Sequence, residues 1–148
     1  MSILKYSNMR GDFLVELFKT LGDENRLRMV NLLMNEELCV CEIEVLLEMT
    51  QSNVSRHLSK LKNTGIIISS KDAQWVHYKI SDKFKKDNIP LIEYLLSKFR
   101  LEEHFLNDKR RFNKYKELCL NCQMIRDDKE NVLNLIRLEL EDGQQEEH

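Results

Sequence analysis

Proline and glycine are scarce, one and four among 148 residues, and a chain so poor in helix breakers favours helix over loop. No run of about eighteen apolar residues occurs, nor a basic segment leading into an apolar stretch at the start of the chain. That pattern predicts a cytoplasmic protein without a membrane partner. No Ser-His-Asp set, glycine-rich phosphate loop or paired-carboxylate cleft is legible, so catalysis is not expected. Repeats and low-complexity linkers are also missing. With 42% hydrophobic and 32% charged residues, the length suits one compact domain carrying a helical arm.

What is present is unevenly placed. The net charge of −2 gives no sign of a polyanionic partner. Between Gln51 and Lys86, however, Arg56, Lys60, Lys62, Lys71, Lys79, Lys83, Lys85 and Lys86 face only Asp72 and Asp82, while the end of the chain is acidic from Glu139 onward. A locally basic segment in an acidic protein is the footprint a phosphate backbone selects. Cys39, Cys41, Cys119 and Cys122 are the only cysteines. In a reducing compartment they read as ligands or redox thiols, not as disulfides.

Apolar periodicity lays out the elements. Phe13, Leu14, Leu17, Phe18 and Leu21 give a first helix within 3–21, stopped by Gly22. Asp23 caps a second with Leu27, Val30 and Leu33 inward. A short third helix spans Cys41–Glu48, and Thr50 caps a fourth, Gln51–Asn63, with Val54, Leu58 and Leu61 on one face. Two short helices joined by a polar turn, the second rich in Ser, Asn, Arg and Lys, form a helix-turn-helix pattern. Gly65 ends the fourth helix. Strands at Ile66–Ile68 and Trp75–Ile80 then make a hairpin, a wing, with Val76, Tyr78 and Ile80 on one face. A helix from Pro90 carries Leu91, Ile92, Leu95, Leu96 and Phe99, a stripe wide enough to meet a second subunit. Residues 101–118 continue as a charged amphipathic helix; after Cys119 and Cys122 come a last helix, Asn131–Leu140, and a disordered acidic end. The expected fold is mainly α with a small β-hairpin. A winged helix-turn-helix and dimerisation domain covers 1–100, and a helical C-terminal extension covers 101–148.

Leu21-Gly22-Asp23-Glu24-Asn25-Arg26-Leu27-Arg28, Glu37-Leu38-Cys39-Val40-Cys41-Glu42-Ile43, Gln51-Ser52-Asn53-Val54-Ser55-Arg56-His57-Leu58 and Trp75-Val76-His77-Tyr78 resemble, in order and spacing, the successive signatures of the ArsR/SmtB family of metal- and arsenic-responsive repressors. The resemblance covers residues 13–99. It implies a homodimer that binds double-stranded operator DNA when ligand-free and releases it on binding an ion. The Leu-Cys-Val-Cys segment resembles the family's thiolate site for arsenite or antimonite, with cadmium, lead or zinc as further candidates; no resident cofactor is implied. A further Cys common in arsenic-type members is Glu44 here, and the family's zinc site on the fifth helix is missing, with Leu95 and Lys98 at the later ligand positions.

Arsenite prefers three thiolate sulfurs because it is soft, and a helix N-terminus is expected to lower the pKa of Cys39 and Cys41. The third sulfur then has to come from the Cys119 and Cys122 pair, one or both delivered on an arm folded back within one subunit or across the dimer. For DNA, the candidates are Gln51, Ser52, Asn53, Ser55, Arg56, His57 and Lys60 on the fourth helix, with Lys71 and Gln74 near the wing tip. His57 could instead serve packing, and Trp75 reads as a packing anchor. Three alternatives stay open: a thiol redox-sensing repressor, a thiol oxidoreductase using Cys119 and Cys122, and a structural zinc arm using all four cysteines.

Overall fold

A computed structural model describes residues 13–146, with side chains described except at 139 and 141–146. The expected helical turns before residue 13 lie outside the described residues. Helix α1 covers 13–21. Helix α2 (Glu24–Leu33) starts where the Asp23 carboxylate accepts from the Arg26 backbone N–H at 3.1 Å. A two-residue strand β1 (Leu38–Cys39) precedes α3 (Val40–Leu47), and the Thr50 hydroxyl then caps α4 (Gln51–Asn63). Gly65 follows at φ 85°, in the left-handed region where a residue without Cβ carries no penalty.

The wing is longer than its sequence suggests. Strand β2 is Ile67–Asp72 and β3 is Trp75–Ile80, antiparallel with Ile67 opposite Ile80 and Asp72 opposite Trp75. Residues 70–72 extend β2 beyond the expected strand end at Ile68, and the reversal falls at Ala73 and Gln74. β1 adds a third strand, pairing Leu38 with Tyr78 and Cys39 with His77, so the order is β1-β3-β2. Two residues are too few for periodicity to reveal a strand. Along the face shared by Val76, Tyr78 and Ile80, Val76 near the turn is exposed and Ile80 is buried.

Beyond the wing, Ser81 caps a short helix α5 (Asp82–Asp87) that the apolar pattern missed, because Phe84 is its one buried residue. Helix α6 (Ile89–Phe99) holds Pro90 in its first turn, where the missing N–H costs nothing. Helix α7 (Glu103–Glu117) is followed by α8 (Cys122–Asp127) and α9 (Lys129–Glu146). The acidic residues expected to be unstructured therefore continue α9 as far as Glu146; only 147–148 fall outside the described residues. Among the described residues no helix is long and apolar enough to cross a membrane.

The α2–α4 core, built on Met29, Val30, Leu33, Ile43, Leu46, Val54, Leu58 and Leu61, runs without a break into Phe105, Phe112, Tyr115, Ile125, Val132 and Ile136 of the last three helices. Polar clamps fix that packing. Arg28 of α2 grips Asp108 of α7 through two parallel bonds of 2.8 and 2.9 Å, and Asp108 is only 2% exposed. Arg111 donates to the carbonyls of Leu46 and Val45 at 2.7 and 3.0 Å, satisfying acceptors that the end of α3 leaves open. Lys129 reaches Glu44 at 3.2 Å and Arg137 reaches Glu48 at 2.6 Å. Helix α3 is thus held along its length by the extension on one side and packs against α4 on the other.

Candidate metal centre and nucleic-acid face

Cys39 is the N-cap of α3 and Cys41 lies in its first turn; Cys122 opens α8. Folding brings the three sulfurs within 4.8 Å of one another, with Cys39 buried and the other two half-buried. Cys39 Sγ and Cys41 Sγ are 2.9 Å apart. Two sulfurs sharing one ion at about 2.3 Å each can be no more than about 4.6 Å apart, so the cluster is close to a ligating geometry before any ion arrives. Cys119 stands outside it. It adopts φ 54° after α7, is exposed, and its Sγ lies 3.9 Å from the carbonyl of Glu117. Of the distant pair, the fold brings Cys122 into the cluster and leaves Cys119 at the surface.

The surroundings of the thiols oppose the expected acidification. The contact with Cys41 and then burial push the Cys39 thiol far above its ordinary range. Burial does the same to Cys122, reinforced by Cys39 and the charge of Glu42. Glu42 sits at the third position of α3, accepts the Cys39 N–H at 3.0 Å and accepts the Tyr115 hydroxyl at 2.6 Å. Burial and the thiol contacts thus act against whatever the helix end contributes, and the Glu42 carboxylate adds to them. Glu44, where a further cysteine was looked for, is 9% exposed and paired with Lys129 instead. The sequence assigns Glu42 no role at this site, although a Glu three residues after the N-cap is a legible capping signal.

A cleft of about 560 Å³ opens onto Cys39 and Cys41, walled by Gln51 at the start of α4, Trp75 of the wing, and Ile125, Arg126 and Lys129 of the extension. Thiols, α4, wing and extension meet there. The Arg126 guanidinium lies 5.5 Å over the Trp75 ring.

On α4, Gln51, Ser52, Asn53, Arg56 and Lys60 are exposed and Ser55 is half-buried. Arg56 Nη2 reaches Asn53 Oδ1 at 3.5 Å, so these two side chains lie on one face. Lys60 is paired with Glu16 of α1 at 3.1 Å. His57, expected on the exposed face, is instead 4% exposed, with Nδ1 3.3 Å from Arg26 Nη1 and 4.0 Å from Asp23 Oδ1. It follows Arg56 on the helix but turns toward α2, a consequence of the 100° step per residue. Lys71 and Gln74 are exposed by the wing turn.

A helix-turn-helix followed by an antiparallel hairpin is the framework of a winged-helix transcriptional regulator. Residues 23–69 match the model of the bacterial regulatory protein arsR family. The chain is 45% identical over 69 residues to the arsenical resistance operon repressor of Escherichia coli (strain K12), covering 45% of this chain and 58% of that one. It is 44% identical over 66 residues to the cadmium resistance transcriptional regulatory protein CadC of Listeria innocua serovar 6a, covering 44% and 56%. The matched segment thus spans little more than half of either relative. Reduced HlyU from Vibrio cholerae N16961 superposes with a TM-score of 0.51 at 33% identity, over 62% of this chain and 96% of that chain. The chain belongs to the arsR family, a family of transcriptional regulators and not of enzymes. The oxidoreductase alternative falls with that, and no strand-helix-strand unit surrounds Cys119 and Cys122.

Proposed function

We propose that this regulator is a homodimeric repressor that holds double-stranded operator DNA through α4 and the wing and lets go when Cys39, Cys41 and Cys122 bind a thiophilic ion. Arsenite or antimonite is the inducer favoured, with cadmium, lead or zinc as further candidates. The observation carrying this reading is the meeting of three sulfurs from two separate elements within 4.8 Å. Three soft donors suit a three-coordinate soft ion, whereas a closed structural zinc site needs a fourth ligand.

Helix α3 carries Cys41, is capped by Cys39 and packs on α4, so drawing α8 toward α3 changes how α4 is presented. A coupling of about 1–3 kcal/mol is typical of such linkage and changes operator affinity about 5- to 150-fold. Exposed Phe13, Leu14, Val15 and Phe18 of α1 and Ile89 and Tyr94 of α6 offer apolar surface to a second copy.

The test is a titration of reduced protein on its own promoter DNA with arsenite, antimonite, cadmium and zinc, read by fluorescence anisotropy. Release by arsenite that persists at the same concentrations in Cys122→Ser would refute the three-thiol site. Proton balance separates the inducers. Three thiols and As(OH)₃ give As(S–Cys)₃ and three waters, so arsenite affinity is flat near neutrality. A divalent cation expels protons instead, and its affinity rises about tenfold per pH unit for each proton released.

The 2.9 Å approach of Cys39 and Cys41 favours one second reading, a redox-sensing repressor. Operator release by peroxide in ion-free buffer, abolished in Cys41→Ser, would select it.

A further inference from the structure

Cys122 and Arg126 are the first and fifth residues of α8, one helical turn apart. Cys122 joins the thiol cluster, while the Arg126 guanidinium lies 5.5 Å over the ring of Trp75. Trp75 is the first residue of β3 and pairs with Asp72 beside the wing turn. Among the described residues Arg126 forms no ion pair, although Asp127 and Asp128 follow it in sequence; the aromatic face is its partner. Residues of the thiol cluster, Trp75 and Arg126 line one cleft. The chain therefore has two connections from the thiols to the wing: a direct one, through the pairing of Cys39 with His77, and this one across α8.

We propose that Arg126 is a positioning residue that couples ion binding to the wing, α8 acting as a lever between Cys122 and Trp75. The proposal rests on the three-thiol reading above and adds a route to it. To bind one ion, the sulfurs must move from their present spacing to a common centre, which shifts Cys122 and with it the short helix it opens. Six residues cannot bend appreciably, so the displacement reaches Arg126 one turn away and alters its stack on Trp75. The wing tip carrying Lys71 and Gln74 then changes its angle to α4. A cation over an indole that solvent still reaches contributes about 0.5–1 kcal/mol, which limits this route to about a two- to fivefold share of the response.

The experiment uses the full reduced chain and arsenite as probe. Operator affinity is measured by anisotropy with and without saturating arsenite, and arsenite binding is followed separately by thiolate-to-arsenic ultraviolet absorbance. Fluorescence of Trp75, the sole tryptophan, reports the local stack. In Arg126→Ala we expect unchanged arsenite affinity, unchanged ion-free operator affinity, a lost arsenite-induced Trp75 signal, and a ratio of the two operator affinities reduced about two- to fivefold. Arg126→Lys, which keeps a cation over the ring, restores part of both. An unchanged ratio in Arg126→Ala overturns the lever and leaves the three-thiol site standing. Equal weakening with and without arsenite also overturns it, assigning Arg126 to a DNA contact. A wild-type chain that shows no arsenite absorbance or no release overturns the three-thiol reading and the lever together.

Discussion

The α4–wing face and the thiol cluster are assembled by opposite routes. Helix α4 and the hairpin are drawn from residues 50–80, with a cap, an apolar stripe and a turn that are each local. The cluster takes Cys39 and Cys41 from the start of α3 and Cys122 from α8, on the far side of a polar and apolar interface that has to form first. The first is built from residues close in sequence, whereas the cluster, split between the start of α3 and α8, exists only while the extension is docked. Under the proposed function, ion binding and the docking of the extension become one equilibrium, the condition for a ligand to shift a conformational balance.

The comparison can be broken most forcefully at Asp108. Asp108→Ala leaves Arg28 without its buried partner and is expected to cost about 3 kcal/mol, read as a lower midpoint in urea. A loss confined to the extension, with α4 still protected in hydrogen exchange, would sharpen the contrast; an unchanged midpoint would break it. Next comes Cys122→Ser. Partners outside the ligand shell already cost about 10- to 100-fold in metal affinity, so loss of a ligating thiol is expected to exceed that in an arsenite titration, with ion-free operator affinity untouched.

The reading half is probed by the reciprocal change. Arg56→Ala should weaken operator binding by about 1–3 kcal/mol in an anisotropy titration and leave arsenite affinity alone; crossed effects would show that the halves are not separable. The smallest effect belongs to His57. Burial holds its imidazole below the usual range, the carboxylate of Asp23 opposing. The unfolded chain therefore binds more protons than the folded one as pH falls below about 6.5, and stability is full above that value and declines beneath it. His57→Gln should flatten this decline in urea titrations between about pH 5 and 7.

Legibility followed the same division. Thr50, the Val54-Leu58-Leu61 stripe and Gly65 bounded α4 to the residue, because capping and periodicity act within one turn. For His57 the sequence leaves DNA contact and packing both open, and its burial agrees with packing, because the neighbouring helix, with Arg26 and Asp23, supplies the partners that let an imidazole be buried. β1 and α8 escaped because two and six residues are too short for a period. The thiolate pKa expectation failed for Cys39 on the contact with Cys41 and on burial, with Glu42 adding to them, and burial exists only once the chain has folded.

The sequence by itself determined the helix-turn-helix and wing, the two-thiol segment at the head of α3, and the family resemblance, since each is written in neighbouring residues whose conformations are set within a few bonds of one another. Tertiary structure alone decided that Cys122 and not Cys119 completes the cluster, that Glu44 pairs with Lys129, and that Arg126 meets Trp75. Those outcomes depend on how α7, α8 and α9 pack against α3, and packing is chosen by the fit of whole apolar faces and buried ion pairs, which no local pattern encodes.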